Sequence, residues 1–218
     1  MNILKVAAAV IAAYFLGSVN FAVILSSIFL KKDVRKMGSG NAGATNMLRN
    51  AGVIPGLLTF LGDAFKGYAA AYLGKLVFQN VYNATESPWV MPIYGAYLCG
   101  IVCMVGHVFP LFFGFKGGKG VAAGVGVFGI CSPVAAICGL SLFAVCTLIT
   151  RIVSLSSIIA TVVVVILSMI LRDTSALFLP QAIFSVVIGI IIISKHKDNI
   201  KRLMAGTETK IGGRKNNG

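Results

Sequence analysis

Three short polar segments of this chain carry residue types and spacings that suit phosphate chemistry. The first is Gly38-Ser39-Gly40-Asn41-Ala42-Gly43-Ala44-Thr45-Asn46, followed by Arg49. Glycine lets the backbone take positive φ and turn consecutive N–H groups outward. Such a nest, with a hydroxyl and one Arg beside it, suits an anion. A flexible loop ending in a helix cap at Thr45 or Asn46 accounts for the same letters equally well. The second segment runs Gly106-His107-Val108-Phe109-Pro110 and then Phe115-Lys116-Gly117-Gly118-Lys119-Gly120. Gly-Gly-Lys-Gly opening a helix at Val121 sets free N–H groups and a cation at the positive end of a helix dipole. It lacks the Gly-x-x-x-x-Gly-Lys-Ser/Thr spacing and a preceding strand, so a nucleotide site does not follow. A tight interfacial turn anchored by lysines is the competing reading. The third segment is the tail from His196 to Lys210. A helix there places His196 and Asn199 on one face, with Ile200, Leu203 and Met204 to seat it on a membrane surface; a solvated basic anchor would need neither His196 nor Asn199.

Two further groups stand apart. Asp63 and Lys66 lie three residues apart inside an apolar run, where charges are costly and pair or function; a self-neutralising structural pair is expected. Cys99, Cys103 and His107 share a helical line at four-residue intervals, too long to close on one metal. No metal and no cofactor is expected. All five cysteines lie in apolar stretches and imply no disulfide framework.

The elements that must position these residues are membrane spans. Of 218 residues, 57% are hydrophobic and only 11% charged, and the mean hydropathy is +0.91. That is far short of the roughly 25% charged residues of a soluble domain, and it excludes disorder as well. The 19 Lys+Arg against 6 Asp+Glu would point to nucleic acid in a soluble protein. Here they flank apolar runs, so anchoring on the positive side of a membrane and anionic ligands are the better readings. No nucleic acid and no obligatory protein partner is expected; membrane lipid is.

Apolar runs cover Ile3 to Leu30, Val53 to Phe78, Trp89 to Gly106, Val121 to Thr150, Ile152 to Leu171 and Ser175 to Ser194. The run from Val121 holds Ser132-Pro133, where a helix breaks. Reading it as two helices, one to about Cys131 and one from Pro133, puts 15 of the basic residues on the cytoplasmic side. The fold class expected is therefore all-α: a polytopic integral membrane protein with seven transmembrane helices, N-terminus outside and C-terminus cytoplasmic. It is read as one domain over 1–218, with cytoplasmic motif segments at about 31–52, 106–120 and 195–218. The short fourth helix spans only a thinned or shielded bilayer. No internal repeat is visible, which weighs against duplicated transporter folds.

Taken together, Gly-Ser-Gly-Asn-Ala-Gly-Ala-Thr-Asn with Arg49, Asp63-x-x-Lys66-Gly67, Gly106-His107-x-Phe109-Pro110 through Lys119-Gly120, and His196-x-x-Asn199-Ile200-x-Arg202-Leu203-x-x-Gly206-x-Glu208 closely resemble the bacterial acyl-phosphate:glycerol-3-phosphate acyltransferases, the PlsY-type membrane enzymes. The pieces occur in family order across almost the whole chain. Ala42 stands where the family usually has Pro, and Ala123 where it usually has Thr. The resemblance implies transfer of a fatty acyl group from acyl phosphate to the sn-1 hydroxyl of glycerol 3-phosphate, giving 1-acyl-glycerol 3-phosphate and phosphate, a step of phospholipid synthesis. It implies a bacterial plasma membrane location with the active site facing the cytoplasm. Among residues, it implies that Ser39, Arg49, Lys119, His196 and Asn199 hold glycerol 3-phosphate and the reacting centre. Gly117, Gly118 and Gly120, with Lys116, cradle the acyl phosphate. Gly38, Gly40, Asn41, Gly43, Thr45, Asn46 and Arg202 join them in binding substrate, and Glu208 pairs with a basic residue to order the tail. Phe112 and Lys201 stand where a His-x-x-x-x-Asp motif would need Asp, and nothing suggests an acyl-enzyme. The alternative is a transporter or exchanger of organic phosphates, whose binding groups belong near mid-membrane.

Overall fold

The computed structural model describes residues 2–212, and among them every regular element is helical. The first apolar run is broken in two: α1 spans Asn2–Ser18 and α2 spans Phe21–Leu30. Asn20 causes the break, because its side-chain oxygen caps α2 by accepting the Val23 N–H, a local bond that competes with helix continuation. The Val19 carbonyl left over takes the Lys66 ammonium at 2.6 Å. Lys66 also pairs with Asp63 at 2.9 Å, the neutralising pair expected from their spacing, and His107 comes within 3.4 Å of the same carboxylate.

After a polar loop, α3 (Ala44–Ala51) leads at Gly52 into α4 (Val53–Thr85). The run read as ending at Phe78 continues seven residues further, since no Gly or Pro intervenes before Pro88 and Gln79 bonds Asn83 one turn on. At 33 residues, α4 is about 50 Å long. α5 (Pro92–Val108) returns along it. The break at Ser132-Pro133 is present: α6 is Val121–Cys131 and α7 is Pro133–Thr150. α8 (Val153–Ile170) and α9 (Phe178–Ser194) follow, and α10 (Lys197–Met204) turns 61° away from α9. α9 begins at Phe178 rather than Ser175 because Asp173 accepts the Ser175 N–H and hydroxyl in a tight turn.

α4 is the central post, packed by α1, α2, α3, α5 and α6, while α7, α8 and α9 form an outer layer that joins α5 and α6. Helix contacts rely on small residues, as they must where lipid supplies no hydrophobic drive. A Cβ on Gly67 would collide with the Ala123 carbonyl, and one on Gly126 with the Ala64 carbonyl, so α4 and α6 touch backbone to backbone. Large apolar side chains face outward instead, among them Ile137, Leu148 and Ile149 on α7. Among the described residues, four stretches are long and apolar enough to cross a membrane: Asn2–Leu30, Pro88–Phe113, Pro133–Thr150 and Val153–Ile170; the bent pair α9–α10 counts as a fifth if taken as one span. With 11 residues, α6 is about 16 Å long, half a bilayer core.

Candidate active site

The three polar segments meet around one cavity of about 1080 Å³. The first contributes its loop and the start of α3. Gly38 (φ +56°) and Gly40 (φ +71°) take the left-handed turn. Asn46 is the staple of this loop: its amide nitrogen donates to the carbonyls of Val34, Met37 and Asn41, and its oxygen accepts from the Ser39 N–H and the Asn50 amide. It is 1% exposed, so its polar atoms serve the fold first. No side chain caps α3, which leaves the first-turn N–H groups at Ala44 and Thr45 open at the cavity wall. Neither Thr45 nor Asn46 is the cap; Gly43 occupies that position. Ser39 and Arg49 stand at the rim, and Arg49 donates to the Thr209 carbonyl at 3.1 Å.

The second segment departs from the free N–H groups expected of it. The N–H groups of Gly117 and Gly118 are spent on the carbonyls of Val108 and His107, both at 3.2 Å. They finish the C-terminus of α5 rather than face a ligand. Gly118 lies against the His107 ring, where a Cβ would collide with Nε2. The Lys116 side chain is exposed, and its carbonyl accepts from Arg35, which also bonds the Phe113 carbonyl and so ties the first loop to the second. Gly38, Lys116 and Gly118 are thus absent from the cavity wall, whereas Gly40, Asn41, Gly43, Gly117, Lys119 and Gly120 are on it. Gly120 sits at φ +87° as the start of α6, with Val121 and Ala122 beside it on the wall. Two helix N-termini, of α3 and α6, therefore open on the same space.

The third segment closes the ring of contacts. Lys119 Nζ donates to Asn199 Oδ1 at 2.5 Å, and the Asn199 amide donates to Glu208 Oε1 at 2.8 Å. Glu208 also accepts from Arg202 Nε at 2.6 Å and from the Ser154 hydroxyl at 2.9 Å. Burial opposes the charge on Glu208, yet these hydrogen bonds hold its carboxyl below the usual range. Burial, with Arg202 and Arg49 nearby, pushes the Lys119 ammonium down to about 8 against the pull of Glu208. His196 is 2% exposed, and its Nδ1 bonds the Ile192 carbonyl at 2.8 Å. That bond fixes the proton on Nδ1 and leaves Nε2 as a lone pair. Burial, with the Lys119 charge nearby, pushes His196 down to about 4 despite the bond to Ile192, so the ring is neutral at neutral pH. The tail then returns across the bundle, with the Ile211 N–H on the Arg151 carbonyl. The end of the basic tail, including Arg214 and Lys215, lies outside the described residues.

Sequence reasoning passed over Ser154, at the start of α8, and Arg35, which pairs with Asp33 two residues away and also reaches carbonyls about eighty residues away. It also left Asp63 and His107 out of the site, although both reach the cavity wall. Beyond the polar groups the cavity continues into an apolar slot between α6, α7 and α8, with Phe60, Val121, Phe143 and Ser157 lining both. The arrangement can hold two anions at one boundary and a long apolar chain beneath them.

A family model described as glycerol-3-phosphate acyltransferase matches residues 7–206. The glycerol-3-phosphate acyltransferase of Chromobacterium violaceum is 38% identical over 209 residues, 93% of each chain. Glycerol-3-phosphate acyltransferase 2 of Bacillus anthracis is 39% identical over 211 residues, 97% of this chain and all of that one. Among solved structures, PlsY (YgiH), an integral membrane glycerol 3-phosphate acyltransferase in its glycerol 3-phosphate form, matches with a TM-score of 0.80 and 33% identity over 94% of both chains. Its lysophosphatidic acid form matches with a TM-score of 0.78.

Proposed function

The chain belongs to the PlsY-type glycerol-3-phosphate acyltransferase family, and from that premise we propose that it transfers a fatty acyl group from acyl phosphate to the sn-1 hydroxyl of glycerol 3-phosphate. The products are 1-acyl-glycerol 3-phosphate and inorganic phosphate. The observation that carries this reading is the convergence of two helix N-termini, Lys119, Arg49 and the lone pair of His196 on one cavity that runs into an apolar slot. One substrate is a small dianion from water; the other is a phosphate with a hydrocarbon tail.

In this reading Arg49, Ser39 and the first turn of α3 hold one phosphate, and Gly120 with the first turn of α6 holds the other. Lys119 lies between them and offsets charge that builds on the departing phosphate. The glycerol hydroxyl attacks the acyl carbonyl, the new ester C–O bond forms, and the anhydride C–O bond breaks with its electron pair on phosphate. His196 Nε2 accepts the hydroxyl hydrogen bond and aims the oxygen. A group with a pKa of about 4 is a weak base at neutral pH, so a substrate phosphate, with a second pKa near ~6, is the better final proton acceptor. Mixed anhydrides are activated, and positioning supplies much of the remaining catalysis.

The same reading places seven crossings with the N-terminus outside, the C-terminus and cavity at the cytoplasm, and the protein in the bacterial plasma membrane. Basic residues gathered at one end of the bundle support that orientation, and reporter fusions at the loop after α2 and at the C-terminus test it. Lys66, the cation nearest mid-membrane, is taken up by Asp63 and the Val19 carbonyl, which weighs against a transported anion held at that depth. Phosphate release from acyl phosphate in detergent, dependent on glycerol 3-phosphate, is the deciding assay. Flux of glycerol 3-phosphate into sealed vesicles with no phosphate release would refute the enzyme.

A further inference from the structure

The apolar slot has a defined far end. On α6 its wall passes from Val121 to Phe128, on α7 from Phe143 to Ala136, and on α8 from Ser157 to Val164. Along each helix the wall covers seven residue steps, about 10 Å, leading away from the polar cavity. Phe128 and Ala136, on either side of the Ser132-Pro133 break, close the far end within the main apolar core, and Val164 packs at Gly139 about one turn nearer the cavity. Phe128 is 3% exposed. The Tyr97 ring meets it edge-on at 6.4 Å and 82°. Tyr97 in turn stacks on Phe184 at 5.7 Å and receives the Ser185 hydroxyl at 3.1 Å. An aromatic ring braced by a second ring, a third ring and a hydrogen bond does not swing aside.

We propose that Phe128 is the floor of the acyl slot and sets the length of fatty chain that the enzyme transfers best. The inference rests on the acyl phosphate reading above and adds the specificity-determining residue. Slot and bilayer are equally apolar, so no hydrophobic gain separates a chain inside from a chain outside. Selection comes from packing: methylenes forced against a braced floor are rejected by about tenfold, and shorter chains leave the end unfilled. Continuity with the cavity argues for the acyl chain as occupant rather than a separate lipid, because the reacting carbonyl and the chain must lie on one line.

The test is kcat/KM across a homologous series of saturated acyl phosphates, with the purified full chain in detergent. Phe128→Ala is expected to raise the long-to-short ratio about tenfold, and Ala136→Leu, which fills the slot, to lower it by a similar factor. Should Phe128→Ala fail to fold, Ala136→Leu alone decides. An active wild type whose length profile is unchanged in either folded variant overturns the floor assignment while leaving the reaction intact. A wild type that releases phosphate from no member of the series overturns the donor and the floor with it.

Discussion

Lys119 offers the sharpest test of the site. Its ammonium is pushed down to about 8 by burial, with Arg202 and Arg49 adding to the effect. A cation whose pKa falls loses its charge as pH rises through the lowered value. At one pH unit above about 8, only about a tenth of the free enzyme keeps the charge. The value of kcat/KM for glycerol 3-phosphate should therefore fall about tenfold per pH unit on the alkaline limb, after subtraction of spontaneous acyl phosphate hydrolysis. Lys119→Arg keeps a cation that does not titrate in this range, so its limb should move up by more than ~1 unit even if its rate is lower. Binding the dianion should restore the ammonium, so calorimetry near the lowered pKa in buffers of different ionisation enthalpy should detect proton uptake. Wild type and Lys119→Arg with superimposed alkaline limbs, and no proton uptake, would refute the placement of Lys119 beside the substrate phosphate.

Glu208→Gln removes the charge that raises the Lys119 pKa, so its alkaline limb should shift to lower pH in the same assay. The neutral ring of His196 predicts a stability effect of opposite sense. The unfolded chain takes a proton near 6.5 and the folded one only near about 4, so acidification through that window favours unfolding. Thermal denaturation of His196→Gln should be flatter over the same range. Asn46→Ala strands buried carbonyls and should cost about 2–4 kcal/mol, read as a lowered unfolding midpoint with a raised KM for glycerol 3-phosphate. Lys66→Met leaves the buried Asp63 carboxylate with only His107 beside it and should cost up to about 3 kcal/mol, and the double variant Asp63→Asn/Lys66→Met should recover much of it.

The features written into neighbouring residues were legible. Pro133 after Ser132 marked the α6–α7 break, and the tail helix considered for His196 and Asn199 is α10, with His196 at its N-cap. The three polar segments were recognisable as one site because their composition fits nothing that a span requires. Features that depend on distant partners were not. Gly117 and Gly118 read as free N–H donors at a helix start, but the carbonyls that occupy their N–H groups belong to a helix end whose position only folding decides. Asn46 read as a ligand or a cap, whereas its five bonds go to a loop wrapped around it. The interruption at Asn20 was hidden by apolar residues on both sides, with Lys66 forty-six positions away as the other half of the signal.

That last coupling constrains how such a scaffold can change. A variant that straightens the first span by replacing Asn20 reclaims the Val19 carbonyl for its own ladder and evicts the lysine from its seat. A variant that deletes the lysine first abandons a backbone oxygen to hydrocarbon. Redesign of this bundle must therefore alter kink and charge in a single move, since each half alone is a defect that the other conceals.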